Sequence, residues 1–173
     1  MKTGVKSEAI GQMDRDGLLK LLEAHAKNWL ALDGCWFLAA ESEYDSETAL
    51  RLDALAWKEY TVYEASRIKR CFGITGENGL EDLRLALQLR PYALVNEHRL
   101  YYDEESLILE MLRCRVQDTR DRKGLPLHRC KPVGLLEYGG FAKTINPNIE
   151  TQCLYCPPDP GVKACKWRFT IKR

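Results

Sequence analysis

The hydrophobic residues of this chain change their spacing at Pro91, and that change limits the folds open to it. Before Pro91 they recur every three or four residues: Leu18, Leu21, Leu22, His25, Trp29, Leu30 and Leu32 in one run, then Leu50, Ala54, Trp57, Thr61, Glu64, Ile68 and Cys71, then Leu80, Leu83 and Leu87. That period puts each set on one face of a helix. Asp14 or Asp16 is placed to cap the first helix, Asp45 or Ser46 to cap the second, and Gly73 to end it. The first helix is expected to loosen at Gly34 and to end near Glu41.

After Pro91 the pattern alternates. Leu94, Asn96, His98 and Leu100 share one side against Val95, Glu97, Arg99 and Tyr101, and a second strand runs from Leu107 to Val116, carrying Cys114 onto a sheet face. Residues 118–123 read as a charged turn, 133–145 as a short helix, Ile149 to Tyr155 and Cys165 to Ile171 as strands. Helices first and strands afterward predict an α+β fold, long N-terminal helices packed on a C-terminal antiparallel sheet. Residues 1–13 are expected to be a disordered tail and 14–173 one α+β domain, helical over about 14–90 and a cysteine-rich sheet part over about 92–173.

Five of the seven cysteines fall in the last third. The first twelve residues hold no apolar run of signal-peptide type, and the longest apolar stretch, Trp29 to Ala40, is too short to span a bilayer. A cytoplasmic protein without a membrane segment is therefore expected, and there thiols stay reduced unless they bind metal. Soft thiolates hold zinc tetrahedrally, and Cys153-Leu154-Tyr155-Cys156 brings two sulfurs to one turn. The expected ligands are Cys130, Cys153, Cys156 and Cys165, with Cys114 and His128 as alternates and iron as the alternative metal. Four protein ligands would make the site structural; three would leave room for a water and for hydrolysis. A catalytic thiol without metal is the competing reading, and Cys35 and Cys71 read as small buried hydrophobes.

Glu64 interrupts the second stripe. A carboxylate on a buried face must be paired, protonated or used. Pairing with Arg67 or with an arginine of a neighbouring helix gives a structural role; an unpaired Glu64 facing the thiols would be a general base, for which Glu41 is the other candidate. Cys114 is the candidate nucleophile. Seven basic residues against Asp118 and Asp121 surround the cysteines between Arg113 and Lys131, and Arg113, Arg115 and Arg129 are the expected binders of a small anionic molecule. The net charge of +1 and the lack of spaced aromatics in that segment argue against nucleic acid. The two tryptophan-bearing helices either cover the sheet or pair across a homodimer.

The set Trp29, Asp33-Gly34, Trp36-Phe37, Cys114-Arg115-Val116-Gln117, Cys130-Lys131, Cys153-x-x-Cys156-Pro157-Pro158-Asp159 and Cys165-Lys166-Trp167-Arg168-Phe169 resembles an uncharacterised family of small cytosolic bacterial and archaeal proteins. More distantly, the order of cysteines in the last third resembles the L-2-amino-thiazoline-4-carboxylic acid hydrolase-like family and the 4-vinyl-reductase ligand-binding domains. The hydrolase resemblance implies roles for Cys114, Cys130 and Cys165 and a thiazoline-carboxylate substrate. A metal or small-ligand sensor is the non-catalytic alternative.

Overall fold

A computed structural model describes residue 4 and residues 6–172. Of the expected tail, residues 1–3 and 5 lie outside the described residues, whereas α1 (Glu8–Gly11) is a single helical turn capped by Ser7. Two long helices follow, α2 (Arg15–Glu43) and α3 (Ser46–Phe72). Asp14 accepts the Gly17 N–H at 2.7 Å, Asp45 accepts the Thr48 N–H at 2.6 Å, and Gly73 closes α3 in the left-handed conformation. Gly34 does not interrupt α2. Buried Leu30 and half-buried Phe37 hold the turns on either side, which offsets the roughly 1 kcal/mol that an interior glycine costs.

Helix α4 (Leu80–Gln88) leads through a 3-10 turn at Pro91–Leu94 into β1 (Glu97–Asp103) and β2 (Ser106–Arg113). The expected first strand begins late, because Pro91 starts the 3-10 turn and supplies no N–H to a ladder. The second ends early. Cys114, expected on the sheet, instead precedes α5 (Arg115–Arg122) as its N-cap residue. Helix α6 (Cys130–Ile145) starts three residues sooner than expected, and β3 (Ile149–Tyr155) and β4 (Lys166–Ile171) complete the sheet.

The four strands are antiparallel in the order β1-β2-β4-β3. Helix α6 lies between the sheet and α3, and α2 lies outside α3. The main core joins Leu107, Leu109, Trp167 and Phe169 of the sheet to Phe141 and Ile145 of α6 and Ala65 and Ile68 of α3. Helices α3 and α6 approach closely at Gly140, where a Cβ would stand 2.8 Å from Thr61 Cγ2. Thr61 Oγ1 donates across the gap to the Glu137 carbonyl at 2.8 Å. Among the described residues no helix is long and apolar enough to cross a membrane.

Candidate functional site

A cavity of about 360 Å³ opens between α2, α3, α5, α6 and the sheet. Its wall includes the cysteines of four different segments: Cys114 at the end of β2, Cys130 at the start of α6, Cys156 in the loop after β3, and Cys165 entering β4. Three local devices bring them together. Gln117 on α5 donates to the His128 carbonyl at 2.9 Å and to Cys130 Sγ at 3.0 Å and accepts the His128 N–H at 2.9 Å, which fixes the segment before α6. Lys131 pairs with Asp159 at 2.8 Å, and Asp159 accepts the Cys156 N–H at 3.0 Å, so α6 and the Cys156 loop are clasped. The Cys165 carbonyl accepts the Met111 N–H at 2.9 Å, tying β4 to β2.

The sulfurs interact through Cys156, which is fully buried. Its contacts with Cys130 and Cys165 hold its proton, far above the ordinary thiol range. The same contact with Cys156 lowers the Cys165 thiol below its ordinary value in spite of burial. Burial pushes Cys114 up to about 12 and raises Cys153, which adjoins Cys156 and lies outside the cavity wall. As they lie, the thiols pack on one another. Among the described residues no group of three or more His, Cys, Asp and Glu side chains is arranged to hold a metal ion.

The cavity wall also carries acidic and aromatic groups. Asp33 on α2 and Asp53 on α3 line the cavity, and Asp53 faces His128 Nε2 at 3.5 Å. Burial, with Asp53 nearby, lifts Asp33 to about 6. The His128 ring meets Phe37 edge-on at 4.6 Å. Trp57 and Tyr92 stack at 5.8 Å in the same wall. Glu137, also in the wall, donates no charge freely: buried Arg90 binds it at 2.7 Å and binds Glu64 at 2.9 Å. One guanidinium serves two buried carboxylates, and burial outweighs its attraction enough to raise Glu137 to about 7.

This arrangement corrects several expectations. Glu64 is buried on α3 as its stripe implies, but it pairs with Arg90 rather than Arg67 and does not line the cavity, so it is no free base beside the thiols. Glu41 is taken by Arg120 in a two-pronged pair at 3.1 and 3.2 Å. Arg113 is exposed and paired with Asp118 and Glu97, and Arg129 is exposed and paired with Glu47; neither borders the cavity. Their long side chains reach surface carboxylates more cheaply than they could be desolvated. Arg115 does border it, with Lys27, Arg122 and Lys123, and gives the mouth a basic rim. Cys35 and Cys71 are exposed, not buried, and Cys35 sits on the α2 edge of the cavity. Asp33 and Gln117 stand in the motifs Asp33-Gly34 and Cys114-Arg115-Val116-Gln117 but carry no expected role, and Asp53 and Glu137 stand in no motif.

A family model matches residues 11–171. The chain belongs to the family of unknown function DUF6125. No curated protein and no solved structure matches it. The family thus covers both the helical half and the cysteine-rich half, and its description carries no activity.

Proposed function

We propose that the cavity of this DUF6125 protein is a binding site for a small molecule beside a zinc ion held by Cys130, Cys156 and Cys165, with Cys114 at the fourth position. The observation that carries this reading is that buried Cys156 touches both Cys130 and Cys165, so that thiols from three segments meet in the cavity wall. Zinc binding requires the thiols to lose their protons and turn from one another toward the ion, and the ion's charge drives that loss. The resulting thiolates keep a donor in Gln117 Nε2, which already reaches Cys130 and would orient it. Cys153 stays outside, next to the Lys131–Asp159 clasp. The basic rim favours a ligand with an anionic end.

Titration with cobalt(II), which replaces zinc and reports sulfur ligands by intense thiolate-to-metal absorption, tests the site. The reading expects a saturable signal at one equivalent, weakened by Cys114→Ser, Cys156→Ser or Cys165→Ser and retained in Cys153→Ser. No thiolate absorption in reduced protein would overturn it.

A second reading is a thiol hydrolase of the thiazoline-carboxylate type. It is favoured by the lowered thiol of Cys165, a better nucleophile than its neighbours. With Glu64 and Glu41 engaged, its base would be His128, oriented by Asp53. Persistent turnover of a thiazoline carboxylate after chelation, abolished by Cys165→Ser, would decide for this reading.

A further inference from the structure

Helix α2 buries only Ala26 and Leu30, although it is 29 residues long. Along one face it carries Leu18, Leu22, His25, Trp29, Leu32 and Trp36, at steps of four, three, four, three and four residues. That is the 3.5-residue period of a helix-pairing seam. Trp29 leans on Tyr60 and Trp57 of α3. The rest of the seam is open: Leu22 is 54% exposed, Leu32 61% and Trp36 72%. With Leu18 and Leu19, these side chains present on the order of 600 Å² of apolar surface on one helix, at the upper edge of what a monomer usually shows in one patch.

We infer that this seam pairs with the same seam of a second copy, antiparallel, about a twofold axis that passes between His25 and Trp29. The spacing is its own complement in that direction. Leu18 falls opposite Trp36 of the second copy, Leu22 opposite Leu32, and His25 opposite Trp29, so every step of the seam finds a partner and large residues meet smaller ones. A parallel pairing sets Trp36 on Trp36 and His25 on His25 and aligns the two helix dipoles; the antiparallel one opposes them. The flanking positions Leu19, Leu21 and Cys35 are apolar or small and let the backbones approach. The seam alone, at about 600 Å² per copy, clears the roughly 1,000 Å² of total buried surface that a specific interface needs. Leu21 of the second copy, on the same flank of the seam as Cys35, comes beside Cys35 at the α2 edge of the cavity, so the dimer covers that edge. The inference rests on α2 alone and holds whether or not the thiols bind zinc.

Sedimentation equilibrium of the full chain at tens of micromolar tests it. Wild type is expected at twice the 19.9 kDa chain mass. Leu22→Glu and Leu32→Lys should each weaken the dimer at least tenfold with unchanged circular dichroism, since both side chains are exposed and their loss leaves the core intact. The double variant L22E/L32K should recover much of the dimer, because antiparallel pairing sets each introduced acid against an introduced base. Alkylation should be slow at Cys35 and fast at Cys71 in wild type, and fast at both in either single variant. A wild-type monomer, including one that instead floats with lipid vesicles or holds another protein, would overturn the inference, as would a dimer indifferent to L22E or a double variant as monomeric as the singles.

Discussion

Replacing Arg90 by methionine should be among the most damaging single changes in the chain. Arg90 is 2% exposed and holds Glu64 at 2.9 Å and Glu137 at 2.7 Å, with its guanidinium 4.7 Å from the Phe141 ring. Methionine keeps much of the apolar stem but leaves two carboxylates in the interior, and Glu64, bound through Oε2, already has an unpartnered oxygen in Oε1. Removing one member of a buried ion pair costs about 3–5 kcal/mol because the charge left behind is uncompensated. That is a large part of the 5–15 kcal/mol that a domain of this kind has in total. Urea unfolding followed by tryptophan fluorescence measures the loss. It should shrink at pH 5, where Glu137 is protonated, and Glu64→Gln with Glu137→Gln in the Arg90→Met background should recover part of it. A loss below about 1 kcal/mol, or one equal at pH 5 and pH 8, would refute the view that Arg90 compensates these two carboxylates.

Glu137 itself sets a pH dependence. Its folded value of about 7 lies above the ordinary 4.5, so the folded state binds more protons between them and stability falls as pH rises through that window. The groups facing it, Arg90, Glu64 and Asp53, are all within its field, and Asp33, at about 6, acts in the same direction. The decline should reach at most about 3 kcal/mol from pH 5 to 8, and Glu137→Gln should flatten most of it in the same unfolding assay. Gly134→Ala places a Cβ 2.6 Å from Trp167 Cζ2 in a wholly buried ring, so it should cost about 1–3 kcal/mol and push the indole toward the cavity, weakening cobalt binding as well. Cys71→Ser, on an exposed helix face, should change stability by less than about 0.5 kcal/mol, checked by the same unfolding curve.

The helical half is legible in the sequence because its signals are local. Stripes of leucine and tryptophan, aspartate caps and Gly73 each state one boundary, and the structure places α2, α3 and α4 within a few residues of them. The segment after β2 is not. The helical period of α5 is carried inward by Gln117 and Arg120, a polar pair that reads as a charged turn until Cys130, His128 and Glu41 are seen to receive them. The site divides in the same way. Cysteine density marks the floor of the cavity, because thiols are rare enough to stand out. The cavity wall also holds carboxylates from separate elements, Asp33, Asp53 and Glu137, whose burial is created only when α2, α3 and α6 come together. Arg90 shows the limit most clearly. Nothing beside Pro91 distinguishes it from a surface arginine, and its two partners lie 26 and 47 residues away.

Metal content of the untagged protein, purified under reducing conditions, bears most directly on the thiol floor. Elemental analysis combined with titration of the seven thiols before and after chelation should find about one zinc per chain, with Cys71 and Cys153 reactive at once, Cys35 reacting slowly at the dimer edge, and four more thiols released when zinc is removed. No metal, with all of the thiols equally open to the reagent in the folded protein, would contradict it.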